Sequence, residues 1–482
     1  MSSRQPPRDP VGLQGRHIGD RRVRIERVKP LDYRVKAPPR IKRPRSPAVV
    51  LLVGFTLLIA LGTVLLSLPI ATASGAWTDP LTALFTATSA VCVTGLVLVD
   101  TATHWSPFGQ AVILILVQIG GFGFMTGSTL VFFLLVGRRT GLRDRMLVQA
   151  TTDSPNLGGV TGLIRRVAIF TIVVEAAGMV VLTIAFLGRG EAPLHAAISG
   201  LFHSVSAFNN AGFDLMGGFR SLTGYADDPP VLIAMGVILV IGALGFAIVG
   251  DVAARRSWTR LALETKVVVL TSAVLLVGGA VLIGAFEWNN PLTLGALAPH
   301  DRVVNAFFTS ANRTAGFNSI PMEHVLEISL LIMIPLMFIG GASGSTAGGI
   351  KVNTFSLLLI AIISTARGNP SAVAFGRRIP HIVVYRAMAV ALLSVAVIFG
   401  VGLGLELMAG GRLIDRAFEA VSALATAGLS TGLTRQLTEP AQILIAAAMF
   451  AGRLGPLTLV LALTARSRPV SYRPAVETMR IG

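Results

Sequence analysis

The sequence is poor in charge and nearly devoid of cysteine. Only 13% of its 482 residues are Asp, Glu, Lys or Arg and 53% are hydrophobic, against about 25% charged in an ordinary soluble domain. That balance excludes a soluble globular chain and points to an integral membrane protein. The single cysteine, Cys92, excludes an intramolecular disulfide and any cysteine-cluster metal site. The seven histidines form no ligand-spaced pair within an apolar run, and no buried carboxylate pair is apparent, so the residues for zinc or acid–base catalysis are missing. The chain is not expected to be an enzyme.

Long hydrophobic runs are abundant. The first charge-free one, Ala48 to Ile70, has 23 residues, enough to cross a hydrocarbon core that needs about 20 helical residues. Ala71-Thr72-Ala73 resembles a signal-peptidase site. The run is nevertheless longer than the roughly 7 to 15 residues of a signal core and follows a 46-residue tail, so it is expected to stay as a span. Further runs lie near 108–136, 167–187, 231–249, 267–286, 325–364, 382–407 and 441–463. Eight elements result.

The net charge of +17 would suit a nucleic-acid binder if it formed one patch. It does not. Of the 41 Lys and Arg, 32 fall in the tail 1–46, in loops 137–166, 250–266 and 365–386 and at the C-terminal end, whereas 7 fall in the alternate loops. The other two, Lys351 and Arg453, lie within spans. This is the positive-inside bias of a multi-pass protein in the plasma membrane with both termini in the cytoplasm. No nucleic acid is needed as a partner; the lipid membrane is.

One short pattern recurs between the spans. SAVCVTG at 89, SAFNNAG at 206, SANRTAG at 310 and SALATAG at 422 share Ser-Ala, four residues, Gly, with glycines Gly95, Gly212, Gly316 and Gly428 spaced by 117, 104 and 112. A fifth match, SAVLLVG at 272–278, sits inside an unbroken span and is coincidental. Each of the four ends a short apolar piece in the exterior loop between two spans. In the first, Asp79 caps a helix that Pro80 opens, and eleven residues to Ala90 make roughly 16 Å, half of a ~30 Å core. The chain is expected to enter from outside and stop midway. Non-helical backbone at that depth is tolerated only in a buried or watery place. The fold class expected is therefore all-α and polytopic: four repeats of span, half-helix pore loop, span (M1-P-M2) around one pseudo-fourfold pore.

The chemistry follows from the backbone. Four half-helix carboxyl ends converging in mid-membrane favour a cation, and carbonyls of the next residues replace its hydration shell. Glycine takes up the dihedrals this requires. The ion-binding candidates are Val93, Thr94 and Gly95; Asn210, Ala211 and Gly212; Thr314, Ala315 and Gly316; and Thr426, Ala427 and Gly428. None is acidic, so a calcium site is disfavoured and a monovalent ion such as potassium is expected at the carbonyls.

SAVCVTGL, SAFNNAGFD, SANRTAGFN and SALATAGLSTG, with QIGGFGF at 118–124, GGASGSTAGGIK at 340–351 and GRLGPLTL at 452–459, resemble the Trk/Ktr family of bacterial potassium transporters, relatives of plant high-affinity potassium transporters. The resemblance covers about residues 48–465, and eight spans are more similar to the Ktr branch. It implies a filter of one glycine per repeat, a homodimer with a pore in each subunit, and a cytosolic nucleotide-binding regulatory ring. No covalent cofactor is implied; potassium is the transported ion, and sodium coupling stays open. The basic tail is outside this resemblance.

Residues 325–364 number 40, too many for one span, and the middle, GGASGSTAGG, holds Gly340, Gly341, Gly344, Gly348 and Gly349. Each glycine costs a helix about 0.8–1 kcal/mol relative to alanine, so an interruption within the membrane is expected; by resemblance it is a gate below the filter. Arg453 can donate to the free carbonyls of that loop and repel a passing cation. Lys351 either takes part in the gate or extends to the cytoplasmic surface. Arg313, inside the third copy, is expected to be neutralised by Asp301 or Glu323. Glu175, inside the third span, reads as a coupling-ion site or a helix-packing partner, the latter preferred.

The expected organisation is a basic cytoplasmic tail 1–47, repeats at 48–136, 163–250, 262–364 and 379–465, and a cytoplasmic tail 466–482. The function expected is potassium uptake through a gated pore, passive or sodium-linked. The alternative is a sodium- or proton-coupled secondary transporter of another monovalent cation, which would usually show two inverted halves rather than four same-direction repeats.

Overall fold

The computed structural model describes residues 47–137 and 157–455; both tails and the centre of the loop expected at 137–166 lie outside the described residues. Helices dominate because long apolar stretches satisfy their backbone groups internally. Helix α1 (Pro47–Ser67) is followed by the short α2 (Pro80–Val91) and the long α3 (Pro107–Gly137). The order repeats with α4 (Leu157–Gly188), α5 (Pro193–Phe208) and α6 (Pro229–Arg255). It continues through α7 (Leu263–Glu287), α8 (Pro299–Ala311) and a divided third member, α9 (Glu327–Phe338) and α10 (Val352–Ala366). Helices α11 (His381–Met408), α12 (Leu413–Ala425) and α13 (Glu439–Leu454) close the order.

Four helical stretches, Ile164–Gly188, Pro229–Arg255, Leu263–Glu287 and His381–Met408, are by length and composition able to cross a membrane among the described residues. Their outer faces are apolar: Ile172, Val180 and Ile184 on α4 and Leu392, Phe399 and Leu407 on α11 are exposed, as a lipid-facing surface requires.

The four short helices, α2, α5, α8 and α12, run 12, 16, 13 and 13 residues. Pro80, Pro193 and Pro299 open three of them, with φ preset for a helix and no N–H to leave unpaired. The Asp79 carboxylate accepts from the Thr82 amide at 3.0 Å, as the sequence predicts. On α12 no proline is present, and Arg412 at the cap instead holds Asp415 at 2.9 Å. All four bury most of their C-terminal halves.

The core lies between successive groups of helices. Phe85, Leu96 and Leu116 pack with Phe213 from the next group and with Ala420, Leu433 and Met449 from the last. Phe208 and Leu239 pack with Phe308 and Phe317, and Leu330 and Met337 with Phe418 and Leu429. These contacts run around a centre where the four short helices end. Between α10 and α11 a two-stranded hairpin pairs Val373–Ala374 with Arg377–Arg378.

Candidate functional site

The four Ser-Ala-x4-Gly copies leave the carboxyl ends of α2, α5, α8 and α12 and meet. Gly95, Gly212, Gly316 and Gly428 all have positive φ, at 91°, 73°, 82° and 79°, the left-handed region that only glycine enters without cost. They also touch in cyclic order. A Cβ on Gly95 would lie 2.4 Å from the Ala211 carbonyl oxygen, one on Gly212 2.3 Å from that of Ala315, one on Gly316 2.9 Å from that of Ala427, and one on Gly428 2.0 Å from that of Thr94. The ring therefore closes on itself through backbone alone. No side chain fits at the four glycine positions.

Three copies share one local geometry. Val93, Asn210 and Thr426 are left-handed, and the amides of Thr94, Ala211 and Ala427 donate back to the carbonyls of Ser89, Ser206 and Ser422 at 2.8–2.9 Å. The third copy departs from this. Asn312–Thr314 forms a 3-10 turn, and the Asn312 side chain clamps both polar backbone atoms of Phe317. Thr314 Oγ1 donates to Asn210 Oδ1 at 2.8 Å, so a side chain joins the second and third loops.

On one side the ring opens into a cavity of about 280 Å³ bounded by all four glycines. Asp100, Asp214 and Glu323 line it together with Arg220 and Arg435. Arg435 pairs with Glu323 and stacks 4.8 Å from the Phe219 ring centre, so the cation is neutralised at the rim. Burial pushes the Asp214 carboxyl up to about 6, Asp100 adds to the rise, and the Met216 amide opposes it.

Beneath the ring lies the chain between α9 and α10. The sequence predicts an interruption there, and residues 339–351 are non-helical. They are firmly held. Gly340 donates to the Ile350 carbonyl at 2.9 Å and Ile350 to that of Phe338 at 3.0 Å, while Gly344 and Gly349 have φ of 76° and 69°. Gly348 lies so close under the fourth loop that a Cβ there would sit 2.3 Å from the Ala425 carbonyl oxygen. Gly341 is packed against the Ala243 carbonyl.

Thr346 is the point where this segment joins everything else. Its Oγ1 donates to the Phe208 carbonyl at the end of α5 (2.9 Å) and accepts from Asn210 Nδ2 (3.1 Å). Its amide donates to the Gly242 carbonyl at 3.3 Å. Its own carbonyl accepts from Arg453 Nη1 at 2.7 Å, and Nη2 of the same fully buried guanidinium reaches the Gly120 carbonyl at 3.3 Å. Lys351 Nζ donates to the Ala347 carbonyl from the cap of α10. The structure thus brings Arg453, Lys351 and the loop glycines together below the ring.

Neither Thr346 nor its seat stands out in the sequence. Helix α6 is broken at Gly245, with φ 75° and ψ 164°, and the break frees two carbonyls: Ala243 accepts from Ala342 at 2.8 Å and Gly242 from Thr346. A Cβ on Gly245 would lie 2.9 Å from the Gly344 carbonyl oxygen. A signal was present in the repeated GGFG at 120, GALG at 242 and GRLG at 452. The first glycine of each faces the carbonyl of a short-helix end, Gly120 that of Val91, Gly242 that of Phe208 and Gly452 that of Leu424, with a Cβ falling within 1.9–2.1 Å. The corresponding GGAS at 340 starts the interruption.

Arg313 corrects an expectation. Asp301 pairs with His300 and Glu323 with Arg435, and neither reaches Arg313. Its guanidinium instead donates to the carbonyls of Ile339 (3.4 Å), just past the end of α9, and Ser310 (3.5 Å), in α8. Glu175 is buried and accepts from Gln118 Nε2 and Asn209 Nδ2, each at 3.1 Å. Glu419 on α12 is fully buried, with the Thr434 hydroxyl on one oxygen; its place in a short apolar helix four residues after Asp415 was the unused clue.

Comparison with known proteins shows the family and the fold. Residues 38–468 match the sequence model of the TrkH family, described as cation transport proteins. Ktr system potassium uptake protein B of Bacillus subtilis is 40% identical over 422 residues, 86% of this chain and 92% of that one. The protein of the same name from Vibrio alginolyticus is 37% identical over 91% of this chain and 95% of its own length. The potassium/sodium uptake protein NtpJ of Enterococcus hirae is 34% identical over 92% and 99%. In fold, the crystal structure of the potassium transporter TrkH from Vibrio parahaemolyticus superposes with a TM-score of 0.68, covering 89% of this chain and 87% of that one at 19% identity.

Proposed function

The chain belongs to the TrkH family of cation transport proteins, and from that premise we propose that it is the pore-forming subunit of a potassium uptake system. It is a multi-pass membrane transporter and not an enzyme, as its relatives are potassium uptake proteins. Potassium is the transported ion. One observation carries the pore reading: four left-handed glycines, in contact around a closed ring, bound a single cavity.

In this reading Val93–Gly95, Asn210–Gly212, Thr314–Gly316 and Thr426–Gly428 form the filter. Their carbonyls replace the hydration shell of the ion, and the carboxyl ends of α2, α5, α8 and α12 add negative potential. The chain is four span, half-helix, span units, at 48–136, 163–250, 262–364 and 379–465, about one axis. The charge bias supports a plasma-membrane location with both termini in the cytoplasm. The gate is the segment carrying Gly340, Gly341, Gly344, Gly348 and Gly349, with Lys351 at its end and Arg453 as its latch. By family resemblance the protein works as a homodimer on a cytosolic nucleotide-binding ring; two relatives are named as proteins of a Ktr system.

Sodium coupling is the second reading, favoured by the name of the potassium/sodium uptake relative. Labelled-potassium flux into proteoliposomes, with and without sodium, tests both. Potassium flux down its own gradient is the expected result, and stimulation by sodium would establish coupling. Absence of potassium flux alongside proton- or sodium-driven uptake of another cation would overturn the pore.

A further inference from the structure

The pore reading gives no work to a carboxylate buried beside the second loop. Glu175 lies in the middle of α4, 8% exposed, with Oε2 accepting from Gln118 on α3 and Oε1 from Asn209. Asn209 Nδ2 also reaches Gln118 Oε1 at 2.8 Å and the Val205 carbonyl at 2.9 Å. Ser204 Oγ donates to the backbone carbonyl of Glu175 at 2.7 Å. Glycines make room for this cluster: a Cβ on Gly121 would fall 1.9 Å from Asn209 Oδ1, and one on Gly178 2.3 Å from Ser204 Oγ.

Two features set the carboxylate apart. Its side-chain partners are neutral amides, and among the described residues no Lys, Arg or His is paired with it. Each oxygen accepts a hydrogen bond from a side-chain amide. Asn209 is also no ordinary helix residue. It caps α5, and the next three residues are Asn210, Ala211 and Gly212 of the ring. The positions matching Asn209 in the other copies are Cys92, Arg313 and Ala425, none of them an amide.

We propose that Glu175 sets the cation affinity of the ring, acting through Asn209 and through space as a fixed negative charge behind the second loop. This inference rests on the pore reading. An uncompensated charge in a membrane interior is strongly disfavoured, and the ion in the ring supplies the missing countercharge. The carboxylate therefore stabilises the occupied ring over the empty one. Two opposite unit charges about 10 Å apart at an effective permittivity near 20 attract strongly enough to change occupancy about tenfold, the size of effect expected here. Glu175 is a positioning residue and does not itself contact the ion.

The test is the half-saturating potassium concentration of the purified full chain in proteoliposomes. Glu175→Gln keeps the shape and removes the charge, so that concentration should rise about tenfold, equivalent to about 1.4 kcal/mol, with maximal flux and potassium-over-sodium preference unchanged. Glu175→Asp keeps the charge and should stay within about threefold of the parent. An unchanged value in the Gln variant overturns the proposal, as does an equal rise in both, which would assign the effect to hydrogen-bond geometry. If the Gln variant does not fold, the Asp variant decides alone: a tenfold rise there overturns it. Gly212→Ser separates the levels. Should it and the serine variants of the other three glycines all keep their ion preference, the filter reading fails; should Gly212→Ser lose preference while Glu175→Gln leaves affinity intact, only the role of Glu175 fails.

Discussion

Above the ring of glycines, four chain segments contribute nearly interchangeable backbone; below it, one segment fills the space and its neighbours adapt to it. On the cavity side each glycine has the same handedness and meets the carbonyl preceding the next. On the other side, among the described residues, the chain between α9 and α10 opens into a long non-helical segment, and α6 breaks at Gly245 to receive it. The third copy of the loop pattern, which leads into that chain, is the one with the divergent turn. The difference has a physical reason. A bare ion needs oxygens on all sides at once, which favours equivalence around the axis. An obstruction needs to leave by one route, which a single tethered segment provides.

The comparison breaks most strongly where the tether is cut. Replacing Arg453 by Ala removes charge-assisted bonds to Thr346 and Gly120 worth roughly 1.5–3 kcal/mol each. Since 1.4 kcal/mol is a factor of ten, each bond lost should raise the open fraction about ten- to a hundredfold. Arg453→Lys should restore closure only in part, lacking the planar fork that reaches two carbonyls. Potassium flux per molecule in liposomes is the readout. Flux at or below the parent's, in a protein that still elutes normally on gel filtration, would show that Arg453 does not hold the segment shut.

Above the ring, the expected loss is one of discrimination. Serine at any of the four glycines must adopt positive φ at about 1–2 kcal/mol and place a Cβ against the next loop. Gly428, at 2.0 Å, should suffer most and Gly316, at 2.9 Å, least. The ratio of potassium to sodium uptake in potassium-deficient cells should fall about tenfold for Gly428→Ser. Equal ratios in all four variants and the parent would remove the filter assignment.

The smallest effect belongs to the cavity. With its carboxyl near 6, Asp214 is charged at neutral pH and loses that charge as external pH falls through about 6. Cation entry should then decline about twofold, and Asp214→Asn should show the lower rate at neutral pH without the step. Uptake measured between pH 5 and 8 checks it; a step of the same size in the Asn variant would assign it elsewhere.

Much of this was legible in the sequence because it rests on local chemistry. The apolar runs mark the helices, Asp79 and Pro80 mark a helix start, and five glycines in ten residues mark a helix that cannot continue. What stayed hidden depends on neighbours distant in the chain. Gly245 looks like any glycine in an apolar helix until the 339–351 segment is seen to use the carbonyls it frees. Arg313 suggested a carboxylate partner because charge is the only cue a sequence offers; the carbonyls it found carry none.

By itself the sequence determined that this chain spans a membrane, that it carries four copies of a half-helix ending in glycine, and that one span is interrupted. Those follow from apolar length, from proline and glycine dihedral limits and from the cost of polar backbone in lipid. Only the tertiary structure decided that the four glycines close a ring in chain order, that Thr346 joins the interruption to the second loop and to Arg453, and that Glu175 stands behind Asn209. Each of these pairs groups far apart along the chain. Hydrogen bonding and packing select such partners by distance in space, which no residue encodes alone.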